Sequence, residues 1–193
     1  MPNNCVLILR YFWKILANFN PDRSGRRAAI VVLAAAACAL GQSTLTLSSA
    51  TAPAGTMANL NLSLSDSGVP PAGLEWTLTY SAADLAAVNV TPGPAATAAG
   101  KTVSCAGGNG TYSCVLVGMN ENTISSGIVA VVGVTVASTP ADPSAAIAVL
   151  QPEGTDPVGN LLSLTASGGS VVIPAPVTNI AGLTGLICSP NPR

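Results

Sequence analysis

The sequence of 193 residues contains no histidine. This absence excludes a Ser-His-Asp triad, a Cys-His dyad and a zinc site with histidine ligands. Charged residues make up only 8% of the chain, so a charge-dense enzyme cleft is not expected. The acidic residues are scattered one per segment, and no two have a spacing that indicates shared acid–base work. We therefore expect no enzyme, no cofactor and no metal centre.

Basic residues are scarce beyond the first 27 positions, where only Lys101 and Arg193 remain. From residue 42 onward these two stand against seven acidic residues, which gives a net charge of −5. A body of this kind has no positive patch that could neutralise phosphates, so we expect no nucleic-acid partner.

The N-terminal region has the pattern of an export signal. In "RSGRRAAIVVLAAAACALGQS" three arginines precede the apolar run 28–40. Small residues at Ala39 and Gly41 place the cleavage site between Gly41 and Gln42. We expect residues 1–41 to be a leader, and the mature domain to be secreted or held at the cell surface without a membrane segment of its own.

Two alternatives stay open for this leader. The run 28–40 is shorter than the roughly 20 apolar residues of a membrane-spanning helix, which disfavours a transmembrane anchor. Cys38 allows a lipoprotein anchor, but the leucine expected three positions upstream is absent.

The body of the chain alternates apolar and polar residues, as half-buried strands do. In "ANLNLSLS" three leucines alternate with asparagine and serine. In "GLEWTLTY" leucines, Trp76 and Tyr80 are expected to point inward, and Glu75, Thr77 and Thr79 outward. Glycine (19) and proline (15) are abundant and separate such segments about every 8–12 residues. The pattern predicts an all-β antiparallel sandwich.

Three further segments complete this interpretation. In "YSCVLVG" Val115 and Val117 are expected on the outer face, and "GIVAVVGVTVAS" is apolar enough for a central strand. The one helical candidate is "SAADLAAV", which predicts a single turn after Tyr80. Turn signals include Pro92-Gly93-Pro94 and Glu153-Gly154.

Cys105 and Cys114 flank a Gly-Gly-Asn-Gly run. Zinc lacks ligands here, and the gap between the two cysteines differs from the Cys-x-x-Cys of redox enzymes. The glycines and the asparagine tolerate positive φ, as a hairpin turn requires. If the domain is exported, oxidation is available. We therefore predict a disulfide that closes a hairpin.

Six motifs follow one another in a specific order from residue 44 to about residue 173. They are "LTLSSATAPAGTMANLNLSLS", "GLEWTLTYSAADLAAVNVTPG", "GTYSCVLVGMNEN", "SGIVAVVGVTVAS", "GTDPVGNLL" and "GGSVVI". This order resembles that of the cohesin domain, within the larger fold shared with some carbohydrate-binding modules. One departure is Ser81, which follows the corner tyrosine where the family often has aspartate.

The resemblance implies about nine strands in a jelly-roll topology over residues 42–173. It also implies a module that binds a dockerin, itself loaded with calcium, through one sheet face. Residues 174–193 look like a linker and the start of a truncated following module, similar to the Ig-like modules of secreted bacterial proteins. We expect the partner-binding face to comprise Glu75, Thr77, Thr79, Val115, Val117, Asn120, Glu121 and Asn122.

Two other functions remain open. A carbohydrate-binding module would need exposed aromatic rings, whereas Trp76, Tyr80 and Tyr112 are all expected to point inward, so polysaccharide ranks second as a partner. A structural or adhesin-like spacer would have no partner at all. Asp142 and Asp156 could join a calcium site, but no EF-hand-like loop is present, and we expect ordinary solvated turn residues.

Overall fold

A computed structural model describes residues 42–176 of the protein. The predicted leader, its cleavage site after Gly41, the anchor at Cys38 and the following module lie outside the described residues. Twelve strands and one short helix are present in the described range. They are β1 (Thr44–Leu47), β2 (Ala50–Thr51), β3 (Met57–Ser65), β4 (Gly73–Tyr80), β5 (Leu85–Pro92), α1 (Pro94–Ala98), β6 (Thr102–Gly108), β7 (Thr111–Val117), β8 (Gly127–Val136), β9 (Ser144–Thr155), β10 (Leu161–Ser163), β11 (Thr165–Ser167) and β12 (Gly169–Val172).

The strands form two sheets. The five-stranded sheet has the order β11-β1-β3-β8-β5, and the seven-stranded sheet has the order β2-β12-β9-β4-β7-β6, with β10 also paired to β9. Nine strands have four or more residues, in agreement with the predicted number. The strand from "GIVAVVGVTVAS", β8, pairs on both sides, as its apolar sequence indicates.

Two strand pairs are parallel, which the antiparallel prediction did not include. The strand β1 pairs with β11, and β2 pairs with β12. The first segment of the domain passes from the five-stranded to the seven-stranded sheet between β1 and β2, and the last segment does the same between β11 and β12. Because the two segments run in the same direction side by side, both of their strand pairs are parallel. Gly169 lies at this second crossing, where a side chain would collide with the backbone carbonyl of Ser48.

The inward faces of both sheets meet in one core. The predicted alternation is confirmed on β3, where Leu60, Leu62 and Leu64 are buried, and on β4, where Trp76 is fully buried. Tyr80, the last residue of β4, is only half-buried. Its backbone N–H donates to the Gly110 carbonyl of the neighbouring hairpin at 2.9 Å.

The prediction of a single turn after Tyr80 is confirmed. The N–H of Leu85 donates to the carbonyl of Ser81 at 2.9 Å, but the rest of "SAADLAAV" belongs to β5, because its pairing with β8 outweighs the helix propensity of alanine. The one helix of the described range, α1, lies where the sequence predicts a turn. Pro94 begins it, in a position where a missing N–H costs nothing.

A buried carboxylate fixes the corner between β4 and β5. Asp84 is 1% exposed, and its Oδ1 accepts hydrogen bonds from the backbone N–H groups of Ala141 at 2.7 Å and Asp142 at 3.0 Å. Its backbone carbonyl accepts the N–H of Ala137 at 2.8 Å. A hydrogen bond from Ser81 and those from the loop lower the pKa of Asp84 below its usual range, against burial, which raises it. Asp84 therefore joins this corner to the β8–β9 loop.

We predict that Asp84→Asn lowers the free energy of unfolding at neutral pH by about 2–3 kcal/mol, because hydrogen bonds to a charged group are lost. A pKa that is lower in the folded than in the unfolded state stabilises the fold above the unfolded value of about 3.9, and this stabilisation is lost as the pH falls through the folded value. Urea unfolding from about pH 7 to pH 2 should therefore show the deficit shrinking in acid. Asp142→Asn, at an exposed neighbour, is the control, and a deficit that is constant with pH would contradict the account.

Candidate functional site

The outer face of the seven-stranded sheet carries the five strand residues of the predicted partner-binding face. Glu75 lies directly opposite Val115 on the neighbouring strand. Thr77 lies opposite Ser113, and their hydroxyl oxygens are 3.0 Å apart. The two strands are thus adjacent and in a register that places their predicted side chains on one surface.

An apolar patch occupies this surface. Val115 and Val117 remain 37% and 49% exposed, so no segment of residues 42–176 covers them. Leu150 on β9, which lies opposite Thr77, is 46% exposed, and Leu161 on β10 is 75% exposed. We call the outer side chains of β4, β7, β9 and β10 the docking face, after the partner-binding role that the sequence predicts for part of this surface.

The sequence pattern misses the contribution of β9 to this face. It predicts a turn at Glu153-Gly154, which is wrong, because the strand continues to Thr155. A register shift between Glu75 and Thr77 interrupts the pairing, and Gln151 beside it has a positive φ of 49°. The extra residue of such a bulge breaks the alternation on which strand recognition depends.

The polar loop after β7 has a different role from the strands. The side-chain amide of Asn120 donates to the Gly100 carbonyl at 3.1 Å, and that of Asn122 donates to the Ala99 carbonyl at 3.3 Å. Both amides therefore tie the loop to the segment that follows α1. Glu121, between them, is exposed.

Lys101 completes this anchoring, and residues 42–176 therefore carry no exposed cationic side chain. Lys101 is buried, its Nζ donates to the Asn120 carbonyl at 2.9 Å, and burial lowers its pKa. It is the only basic residue between positions 42 and 176. The charged side chains that residues 42–176 expose on the docking face are therefore carboxylates.

No aromatic side chain of the described range is fully exposed. Trp76 is fully buried, and Tyr80 and Tyr112 are half-buried. These three are its only aromatic residues. The described domain thus offers no ring platform of the kind that stacks on sugars.

The acidic turns are stabilised by their own hydrogen bonds. Asp156 accepts from the backbone N–H groups of Val158 and Asn160, at 3.0 and 2.8 Å, and from the Asn160 amide at 2.7 Å. The bonds from Asn160, led by its side chain, lower the pKa of Asp156. Residues 42–176 contain no group of three or more Cys, Asp or Glu arranged to hold a metal ion. No helix in that range is long and apolar enough to cross a membrane.

The hairpin of β6 and β7 supports one side of the docking face. Cys105 and Cys114 lie directly opposite each other and form the predicted disulfide, with an S–S distance of 2.09 Å. Asn109 and Gly110 form its tip with positive φ values of 51° and 93°, as tight hairpin turns require.

Comparison with known proteins defines the fold. No protein-family model matches the chain, and no curated protein matches it significantly. Solved cohesin structures do match it, among them three that each cover 69% of this chain. The sixth cohesin of Acetivibrio cellulolyticus scaffoldin B, in complex with the Cel5 dockerin, matches over 99% of its length with a TM-score of 0.59 and 18% identity. A non-cellulosomal cohesin of Archaeoglobus fulgidus matches over 92%, with a TM-score of 0.58 and 18% identity.

The cohesin of the Coh-OlpA–Doc918 complex from Clostridium thermocellum matches over 99% of its length with a TM-score of 0.60 and 12% identity. The domain therefore has the cohesin fold, a jelly-roll β-sandwich, and the resemblance drawn from its sequence motifs is confirmed at the level of the fold.

We predict that replacing both Cys105 and Cys114 by alanine lowers the free energy of unfolding by about 2–3 kcal/mol, because the disulfide restricts the unfolded chain. Urea unfolding of the oxidised protein measures the loss, and reduction of the unaltered protein should reproduce it. Free thiols at both positions in the intact mass of oxidised protein would contradict the structure.

Proposed function

We propose that this chain is a non-catalytic, extracellular protein-binding module of cohesin type, whose docking face receives a calcium-loaded dockerin. The observation that carries the proposal is the uncovered apolar patch around Val115, Val117 and Leu150 on the sheet face of a cohesin fold. The Acetivibrio cellulolyticus and Clostridium thermocellum cohesins that share this fold were solved in complex with dockerins.

The docking face has the anatomy of a protein interface. Its apolar centre is bordered by hydroxyl and carboxylate groups, including Thr77, Ser113 and Glu75, and interfaces combine an apolar core with a polar rim in this way. The strands β4, β7 and β9 are each hydrogen-bonded on both sides, so the platform is rigid before a partner arrives.

The outer surface of the five-stranded sheet is less suited to bind a protein partner than the docking face. On the five-stranded sheet, Asn59, Asn61, Asn89 and Thr91 are exposed on β3 and β5. This surface is uncharged and polar, and its one large exposed apolar side chain is Met57 at the edge. Since partners displace water more easily from apolar groups, the seven-stranded sheet is the better docking surface.

Two observations support an extracellular location. The Cys105–Cys114 disulfide is of a kind that persists in oxidising compartments. The predicted leader at residues 1–41 would deliver the domain there. A glycan-binding role gains nothing from the described residues, whose aromatic rings are buried or half-buried.

We predict that Val115→Asp weakens binding to a calcium-loaded dockerin encoded in the same genome by at least about tenfold, because a charge is left in a desolvated interface. Isothermal titration calorimetry with and without a calcium chelator measures the effect, and the chelator should abolish binding. Asn61→Asp is the matched control, since it adds the same charge to the other sheet. Equal affinities for the two variants, or retention of the chain on insoluble polysaccharide without dockerin binding, would overturn the proposal.

A further inference from the structure

One end of the docking face contains a notch that is floored by a glycine. Gly73, Thr155 and Leu161 follow one another across β4, β9 and β10, and Val117 borders Gly73 on β7. A Cβ atom on Gly73 would lie 2.8 Å from Thr155 Oγ1 and 3.5 Å from Val117 Cγ1. A cavity of about 110 Å³ lies beside Gly73, with Val117 and Leu161 among the apolar side chains that line it.

Two carboxylates stand at the rim of this notch. Glu75 and Glu153 lie directly opposite each other on β4 and β9, and both are exposed and line the cavity. Like charges at directly opposite positions of neighbouring strands destabilise a sheet. Lys101, the only basic residue of the range 42–176, is buried against Asn120, and no cationic side chain of that range lines the notch.

We infer that this notch receives a lysine or arginine side chain of the partner, an inference that rests on the proposed function. The methylene groups would lie over Gly73 between Val117 and Leu161, and the cationic head would lie between Glu75 and Glu153. Lysine and arginine combine an apolar stem with a charged head, and the notch presents apolar walls and a doubly acidic rim in the same order. A purely apolar side chain would leave the carboxylate repulsion in place.

Two small probes test the notch without any partner protein. Nα-acetyl-lysine methylamide and Nα-acetyl-norleucine methylamide share a stem and differ in the ammonium group. We expect the lysine probe to shift the backbone amide signals of Gly73, Val117, Thr155 and Leu161 in the ¹⁵N-labelled full chain, with a dissociation constant of about 1–10 mM. The norleucine probe should bind at least about fivefold more weakly.

Variants assign this difference to the notch. In Glu75→Gln/Glu153→Gln the two probes should bind equally, because the rim is neutral. Gly73→Ala should weaken both probes, because it fills the floor, and the Thr155 side chain can turn aside from the added methyl group. Asp142→Asn, which removes an exposed carboxylate outside the notch, should change neither. Absent shifts, equal shifts for both probes, or a preference for lysine that survives in the double variant would overturn the inference.

A dockerin titration separates the inference from the proposed function. The double variant should weaken dockerin binding and reduce its dependence on salt, because ion pairs at the rim are lost. If the double variant binds dockerin as tightly as the unaltered protein, the inference about the notch is wrong, and the proposed function is unaffected. If the lysine probe binds the notch but no dockerin binds the chain, the inference about the notch holds and the proposed function is wrong.

Discussion

In a β-strand successive side chains point to opposite faces, so the burial of Trp76 and Leu78 in the core places Thr77 on the outer surface. The same constraint acts on β7, where buried Cys114 and Leu116 force Val115 outward. A shift of register by one residue would bury the docking face and expose the core. The chemistry of the docking face is thus determined by the packing behind it.

The outward positions of the two sheets carry different types of residue. On the five-stranded sheet Asn59, Asn61, Asn89 and Thr91 place amides and a hydroxyl at the surface, which water solvates well. On the seven-stranded sheet the outward positions carry valine, leucine and a pair of opposed glutamates, an arrangement that costs the free domain stability. Three features at the margins of this sheet stabilise it: the Cys105–Cys114 disulfide, the hydrogen bonds of Asp84 and the loop anchored by Lys101. A bound partner that covers the apolar groups and neutralises the carboxylates would recover that cost.

Sequence reasoning succeeded where local chemistry determines structure. The alternation in β3 and β4 and the hairpin turn between Cys105 and Cys114 depend on near neighbours in the chain, and each followed from residue type. It failed where tertiary pairing decides. The bulge at Gln151 hides the continuation of β9, so Leu150 and Glu153 were not recognised as part of the face. The parallel pairs join the two ends of the domain, and no local pattern encodes them.

The central claim is that the seven-stranded sheet, and not the five-stranded one, meets the partner. Chemical-shift mapping of the ¹⁵N-labelled full chain, free and bound to a calcium-loaded dockerin, tests this most directly. The account predicts that the largest backbone amide shifts fall on β4, β7 and β9, with Val115 and Leu150 among them. Shifts confined to β3, β5 and β8, around Asn61 and Asn89, would contradict it.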